Sequence, residues 1–164
     1  MNKDMKIVMF GPGAIGQSVG GWVAGAYDSI RFLDRGDVAA TMKKKGITLF
    51  EQGKEKDRTN VAVRVIDNIA EARDADVIAI CVKNFSLDAV SRMIRDTVGD
   101  GPVIIGMQNG QENQVILPKY FSKVIYCVIG YNAWFEEPGV VGYQKKGPLI
   151  FGTKSNELMD EMKE

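Results

Sequence analysis

Histidine is absent from all 164 residues. That excludes Ser-His-Asp and Cys-His catalysis, imidazole acid/base chemistry and any histidine-containing zinc site built from this chain alone. Cysteine occurs only twice, at Cys81 and Cys127, too few for a four-cysteine metal site or a disulfide framework. Both lie in apolar runs, residues 77–82 and 124–129, and read as buried, reduced thiols of a cytosolic protein. Neither sign of charge is in excess: 21 Lys and Arg stand against 21 Asp and Glu. With no net charge there is no chain-wide attraction to nucleic acid or anionic lipid, and neither is expected as a partner. No stretch approaches the ~18 apolar residues of a membrane span. The run that follows Met1-Asn2-Lys3-Asp4 covers only Ile7 to Phe10, too short for the apolar core of a signal peptide, so a cytoplasmic location is expected. The acidic residues are scattered, with no pair placed for two-carboxylate catalysis.

Glycine is the residue in excess, 18 of 164, about 11% against a usual ~7%. The order of elements predicts an α/β fold: a Rossmann-type, doubly wound, mainly parallel sheet with an inserted hairpin and a β-rich C-terminal part. Residues 6–10 are a short apolar run, as a parallel strand buried on both faces requires. A helix is expected over 14–26, a strand over 29–34 and a short helix over 37–45. Asp37 starts that helix and Lys43, Lys44 and Lys45 end it, as the helix dipole favours. Residues 47–51 and 60–65 read as a hairpin inserted into the winding. A short helix over 68–73 and a buried strand over 77–82 follow. Leu87, Val90, Met93, Ile94 and Val98 keep helical spacing over 86–98. Strand 103–107, helix 111–121 (interrupted or ended near Pro118) and strand 123–129 complete the winding. The tail reads as strands over 133–136, 140–145 and 149–151, then a helix over 155–163 capped by Ser155.

The most informative residues are Gly11-Pro12-Gly13-Ala14-Ile15-Gly16, a G-x-G-x-x-G between a strand and a helix. Gly11 permits the tight turn, Gly13 leaves room for a pyrophosphate, and Gly16 lets the helix lie close to the strand. Backbone N–H groups from Ala14 onward, with the helix dipole, would hold phosphate charge. Gly16 and Gly20 lie one turn apart, so that face is expected to pack closely on the sheet. The ribose end of the site follows the second strand, where Asp34 and Arg35 stand side by side. A carboxylate there suits the 2′-hydroxyl of NAD and an arginine the 2′-phosphate of NADP. Lys43 to Lys45 lie too far along the helix to serve. Two other strand ends carry polar groups, Lys83-Asn84 and Gln108-Asn109-Gly110-Gln111. Lysine can bind a carboxylate or phosphate and asparagine can orient an amide or hydroxyl, though Asn109-Gly110 is also simply a good turn pair.

Taken together, the chain resembles the nucleotide-binding half of the ketopantoate reductases (2-dehydropantoate 2-reductases). The matching residues are Lys6 through Gly16, Asp34-Arg35-Gly36, Lys45-Gly46-Ile47, Ile80 through Lys83, Gln108-Asn109-Gly110, and the stretch from Pro138-Gly139-Val140-Val141 to Gly152. The resemblance implies one dinucleotide-binding domain over 1–164, with NADP as cofactor, NAD being the alternative. Hydride would pass to the carbonyl of a small 2-oxo acid. It implies Arg35 as the 2′-phosphate ligand, with Lys83 and Asn109 near the nicotinamide and substrate. A carboxylate at Asp34 would repel that phosphate unless turned away. The family's helical substrate domain, with its lysine general acid and substrate-binding glutamate, has no counterpart here. No catalytic residue is therefore assigned within the chain, which is expected to be a fragment, inactive alone, able to self-associate as a homodimer through the uncovered face. A second reading is a dinucleotide-sensing regulatory module without catalysis, since such domains also open strand, G-x-G-x-x-G, helix.

Overall fold

The structure, a computed structural model, describes residues 5–161. Its elements are β1 (Ile7–Phe10), α1 (Ala14–Ala24), β2 (Ile30–Leu33), α2 (Gly36–Lys45), β3 (Ile47–Glu51), β4 (Thr59–Val61), β5 (Arg64–Ile66), β6 (Val77–Ile80), α3 (Asn84–Thr97), β7 (Val103–Gly106), α4 (Asn113–Ile116), β8 (Val124–Ile129), β9 (Ala133–Glu137), β10 (Val140–Tyr143), β11 (Leu149–Gly152) and α5 (Asn156–Glu161). Short 3-10 turns over Ile69–Ala72 and Leu117–Lys119 link the winding.

The main sheet has the order β11-β8-β7-β6-β1-β2-β5. Every neighbouring pair is parallel except β11, which runs antiparallel to β8. The winding turns one way from β1 to β2 and the other way from β6 to β8, so the direction reverses between β1 and β6. Ligands of open α/β sheets bind at that reversal, beyond the carboxyl ends of the strands. Alternation along the strands feeds two cores. Val8, Leu33, Ile78, Ile80 and Ile104 join Leu87, Ile94 and Leu117 on one face. Met9, Phe32, Ala79, Met107 and Cys127 join α1, Met42 and the second sheet on the other.

That second sheet corrects the expected hairpin. β3 does pair antiparallel with β4, but residues 60–65 are not one strand. The chain leaves β4 at Val61, and Arg64–Ile66 becomes β5, the parallel edge of the main sheet beside β2. The hairpin instead pairs with the tail in a four-stranded sheet, β4-β3-β10-β9. Helix α1 lies between the two sheets. A Cβ on Gly20 would sit 2.5 Å from the Phe32 ring, and one on Gly21 3.0 Å from Leu49. The glycines therefore let both sheets approach the helix. The helix expected over 111–121 shortens to α4 plus the 3-10 turn holding Pro118, and that over 68–73 is also a 3-10 turn. Ser155 accepts from the Leu158 N–H at 3.3 Å, as a cap should, while the last two positions of the expected 155–163 helix lie outside the described residues. No helix among the described residues is long and apolar enough to cross a membrane.

Candidate dinucleotide and substrate clefts

The phosphate loop leaves β1 through Gly11, whose φ of +60° favours glycine. A Cβ there would also lie 2.4 Å from the Val82 side chain. Gly11 N–H donates to the Leu33 carbonyl (2.8 Å), tying the loop to the end of β2. Gly16 holds the start of α1 against the end of β6, where an added Cβ would meet Cys81 at 2.9 Å. Gly13 is different: a Cβ there would meet nothing within 4 Å. It is the N-cap of α1, no side chain caps it, and no acidic residue stands in the first turn. The open N–H groups of Ala14, Ile15 and Gly16, with the helix dipole, form a cradle for an anion.

Asp34 and Arg35 follow β2 directly. Asp34 is half-buried and accepts from the Arg35 backbone N–H at 2.9 Å. Burial raises its pKa, against opposing effects of that hydrogen bond and the Arg35 charge. Arg35 is exposed and precedes α2 as its N-cap. Both line a cleft of about 580 Å³ with Gly11, Gly13, Asn68 and Met93. Lys43 is ion-paired with Asp67.

A second cleft, about 880 Å³, opens beyond β6, β7 and β8. Lys83 is exposed, N-caps α3 and lines both clefts, so it stands where they meet. Asn109 also lines the second cleft, but its amide is committed. Its Nδ2 donates to the Ile129 carbonyl (3.2 Å) and its Oδ1 accepts from the Ile129 N–H (2.9 Å). Beside it, buried Gln108 donates from Nε2 to the Ile80 and Val82 carbonyls at 2.7 and 3.0 Å. The Gln108-Asn109 pair thus clamps the ends of β6 and β8 to β7 and forms the floor of the cleft.

The expected site residues thus converge: Gly11, Gly13, Asp34, Arg35 and Lys83 on one cleft, and Gly13 to Gly16, Lys83 and Asn109 on the other. Sequence reasoning missed the clamping role of Gln108 and the wall formed by Phe85, Tyr131, Trp134 and Phe135. Phe85 directly follows the Lys83-Asn84 pair on α3, but nothing in local sequence marks Trp134 and Phe135, because β9 reaches the cleft only through the second sheet. The cysteines need one correction. Cys127 is buried, but Cys81 is only half-buried and lines the larger cleft. Burial pushes both thiols up, Cys127 to about 11, so neither is a ready thiolate.

Residues 7–156 match the family model described as Ketopantoate reductase PanE/ApbA. The chain is 28% identical to the 2-dehydropantoate 2-reductase of Pyrococcus horikoshii over 98% of this chain and 52% of that protein. It is 29% identical to that of Pyrococcus abyssi over 90% of this chain and 47% of that protein. It spans about half the length of these curated relatives. Among solved structures, the PanE/ApbA family ketopantoate reductase of Ralstonia eutropha superposes with a TM-score of 0.81 at 21% identity, covering 96% of this chain and 53% of that one. A ternary structure of D-mandelate dehydrogenase with NADH and anilino(oxo)acetate gives 0.77 at 19% identity, over 96% and 52%. These structures share the fold, and the family match carries the further conclusion that the chain belongs to the ketopantoate reductase family.

Proposed function

We propose that residues 1–164 are the dinucleotide-binding domain of an NADP-dependent reductase acting on a 2-oxo acid, of the 2-dehydropantoate 2-reductase kind. The observation that carries this reading is the uncapped α1 N-terminus behind Gly13, with an open space where a side chain would stand. When bound, the nicotinamide would supply a hydride to the substrate carbonyl. The D-mandelate dehydrogenase with NADH supports a nicotinamide cofactor for this fold. In this reading Ala14, Ile15 and Gly16 bind the pyrophosphate through their N–H groups. Arg35 meets the 2′-phosphate, and the Arg35 N–H holds Asp34 in its half-buried position. Lys83 and Asn109 border the nicotinamide end, with Asn109 acting chiefly by holding the β8 terminus in place.

In this reading the general acid comes from the half of the relatives' length that residues 1–164 do not span. Positioned acid catalysis contributes about 10²–10⁴-fold, so this chain alone oxidises NADPH with ketopantoate far more slowly than a full-length relative. Rates within about tenfold of each other would place the acid within these residues instead.

Cofactor choice is tested at Arg35. A charge-assisted contact to phosphate contributes ~1.5–3 kcal/mol. Arg35→Ala should therefore weaken NADPH binding by about tenfold or more and leave NADH nearly unchanged, measured by titration of each nucleotide. Equal losses would remove Arg35 from the 2′-phosphate site. A wild-type preference for NADH would make Asp34 the ribose ligand.

A further inference from the structure

The smaller cleft holds a charge arrangement that one arginine does not explain. β2 and β5 run parallel and in register as far as Leu33 and Ile66. At the next position each strand end carries a carboxylate, Asp34 and Asp67, and both line the cleft with Arg35. Adjacent strands lie ~4.8 Å apart, so a group that meets Arg35 faces two aspartates rather than one. The two are held differently. Asp34 accepts from the Arg35 N–H. Asp67 is fixed through its backbone, whose N–H donates to Glu71 Oε1 at 2.9 Å, and its carboxylate is ion-paired with Lys43. About two turns of α2 separate Lys43 from Arg35. A helical side chain leans toward the turn before its own Cα, however, and the contact with Asp67 brings the Lys43 ammonium to the rim of the cleft.

The other polar groups of this cleft leave that balance unchanged. Asn68 is occupied by the turn it caps: its Oδ1 accepts from the Ala70 N–H and its Nδ2 donates to Glu71. Lys83 stands at the far end, where the two clefts meet, and Ser86 carries no charge. Asp37, in the first turn of α2, is exposed and does not line the cleft. The Arg35 side chain makes no ion pair among the described residues. A 2′-phosphate brings about −1.5 to −2 charges at neutral pH, and a 2′-hydroxyl brings none. An unpaired Asp67 would therefore oppose the phosphate and leave the hydroxyl unaffected, and Lys43 cancels that opposition.

We infer that Lys43, by neutralising Asp67, sets the discrimination between a 2′-phosphate and a 2′-hydroxyl without itself binding the phosphate. The inference deepens the cofactor reading above and rests on it. The test titrates NADPH and NADH against the whole chain and three variants: Lys43→Met, Asp67→Asn and the two combined. Both side chains are exposed, Lys43 by 41% and Asp67 by 74%, so circular dichroism should stay unchanged. Lys43→Met should weaken NADPH by about fivefold, and Asp67→Asn should strengthen it by about threefold. The double variant should return to within about twofold of the wild type, and NADH should move less than about twofold throughout. An equal loss for NADH would make the ion pair only a structural tie between α2 and β5. A double variant as weak as Lys43→Met would make Lys43 a phosphate ligand in its own right. Either result overturns the inference, as does an NADPH affinity that no variant changes. A chain that binds NADPH through Arg35 without responding at Lys43 or Asp67 defeats this inference alone. A wild type that binds no dinucleotide, or in which Arg35→Ala costs NADPH nothing, defeats the NADP reading and this inference with it.

Discussion

Arg31 shows how one residue can hold two distant segments. It lies within β2, only 8% exposed, where a charge needs partners. Its guanidinium donates to the Glu71 carbonyl at 2.8 Å and to Asp74 Oδ1 at 2.7 Å. Lys6 Nζ lies 3.1 Å from the other Asp74 oxygen. The hydrogen bonds from Arg31, and then from Lys6, hold the Asp74 carboxyl down at about 2. An unfolded aspartate titrates near ~3.9. The pair therefore contributes stability above about pH 4, and that contribution is lost as pH falls towards 2. Asp74→Asn should flatten the decline in stability across that window. Because the carboxylate is half exposed and screened, the cost at neutral pH should be only about 1 kcal/mol. Urea denaturation of both proteins at several pH values checks this. A decline as steep in the variant as in the wild type would remove Asp74 from the account.

Among the elements, α1 carries the most constraint, because it is packed between two sheets and also opens the phosphate cradle. Gly20→Val should place its branched side chain into the Phe32 ring, already 2.5 Å from a bare Cβ, and into Met9 at 3.2 Å. Overpacking of this kind costs about 1–3 kcal/mol, read as a lower denaturation midpoint. An unchanged midpoint would mean that α1 sits further from the sheet. The spacing of Gly16 and Gly20 already announced this packing in the sequence. The parallel strands were legible as well, since residues buried on both faces leave continuous apolar runs such as Val77–Ile80. The break after Val61 was not. β4 and β5 pair with β3 and β2 in different sheets, and a strand's partner leaves no trace in its own alternation. For the same reason Trp134 and Phe135 read as part of an ordinary tail strand, and Tyr131 as the loop before it. Their place on the cleft follows from β10 joining β3, some 90 residues earlier in the chain. Asn109 was singled out by its residue type, but its geometry gives it a clamping role shared with Gln108, the neighbour passed over.

At the scale of the whole molecule, both clefts meet at Gly13 and Lys83, where the sheet reverses its winding. One cleft ends at Asp34 and Arg35 and the other at the aromatic wall, so an extended ligand can span them only by passing over Gly13. This position can be changed without damaging the fold. Its φ of −58° is open to any residue, and a side chain there would meet no protein atom within 4 Å of its Cβ. The decisive measurement is a titration of NADPH against the wild-type chain and Gly13→Val, with circular dichroism and denaturation midpoints recorded for both. The account predicts that the wild type binds, and that the variant stays folded, with a denaturation midpoint lowered only by the ~1 kcal/mol that valine costs at an N-cap, and loses at least about a hundredfold in affinity, because its side chain fills the space the pyrophosphate needs. Equal affinity in the two proteins, or no binding by the wild type, would contradict it.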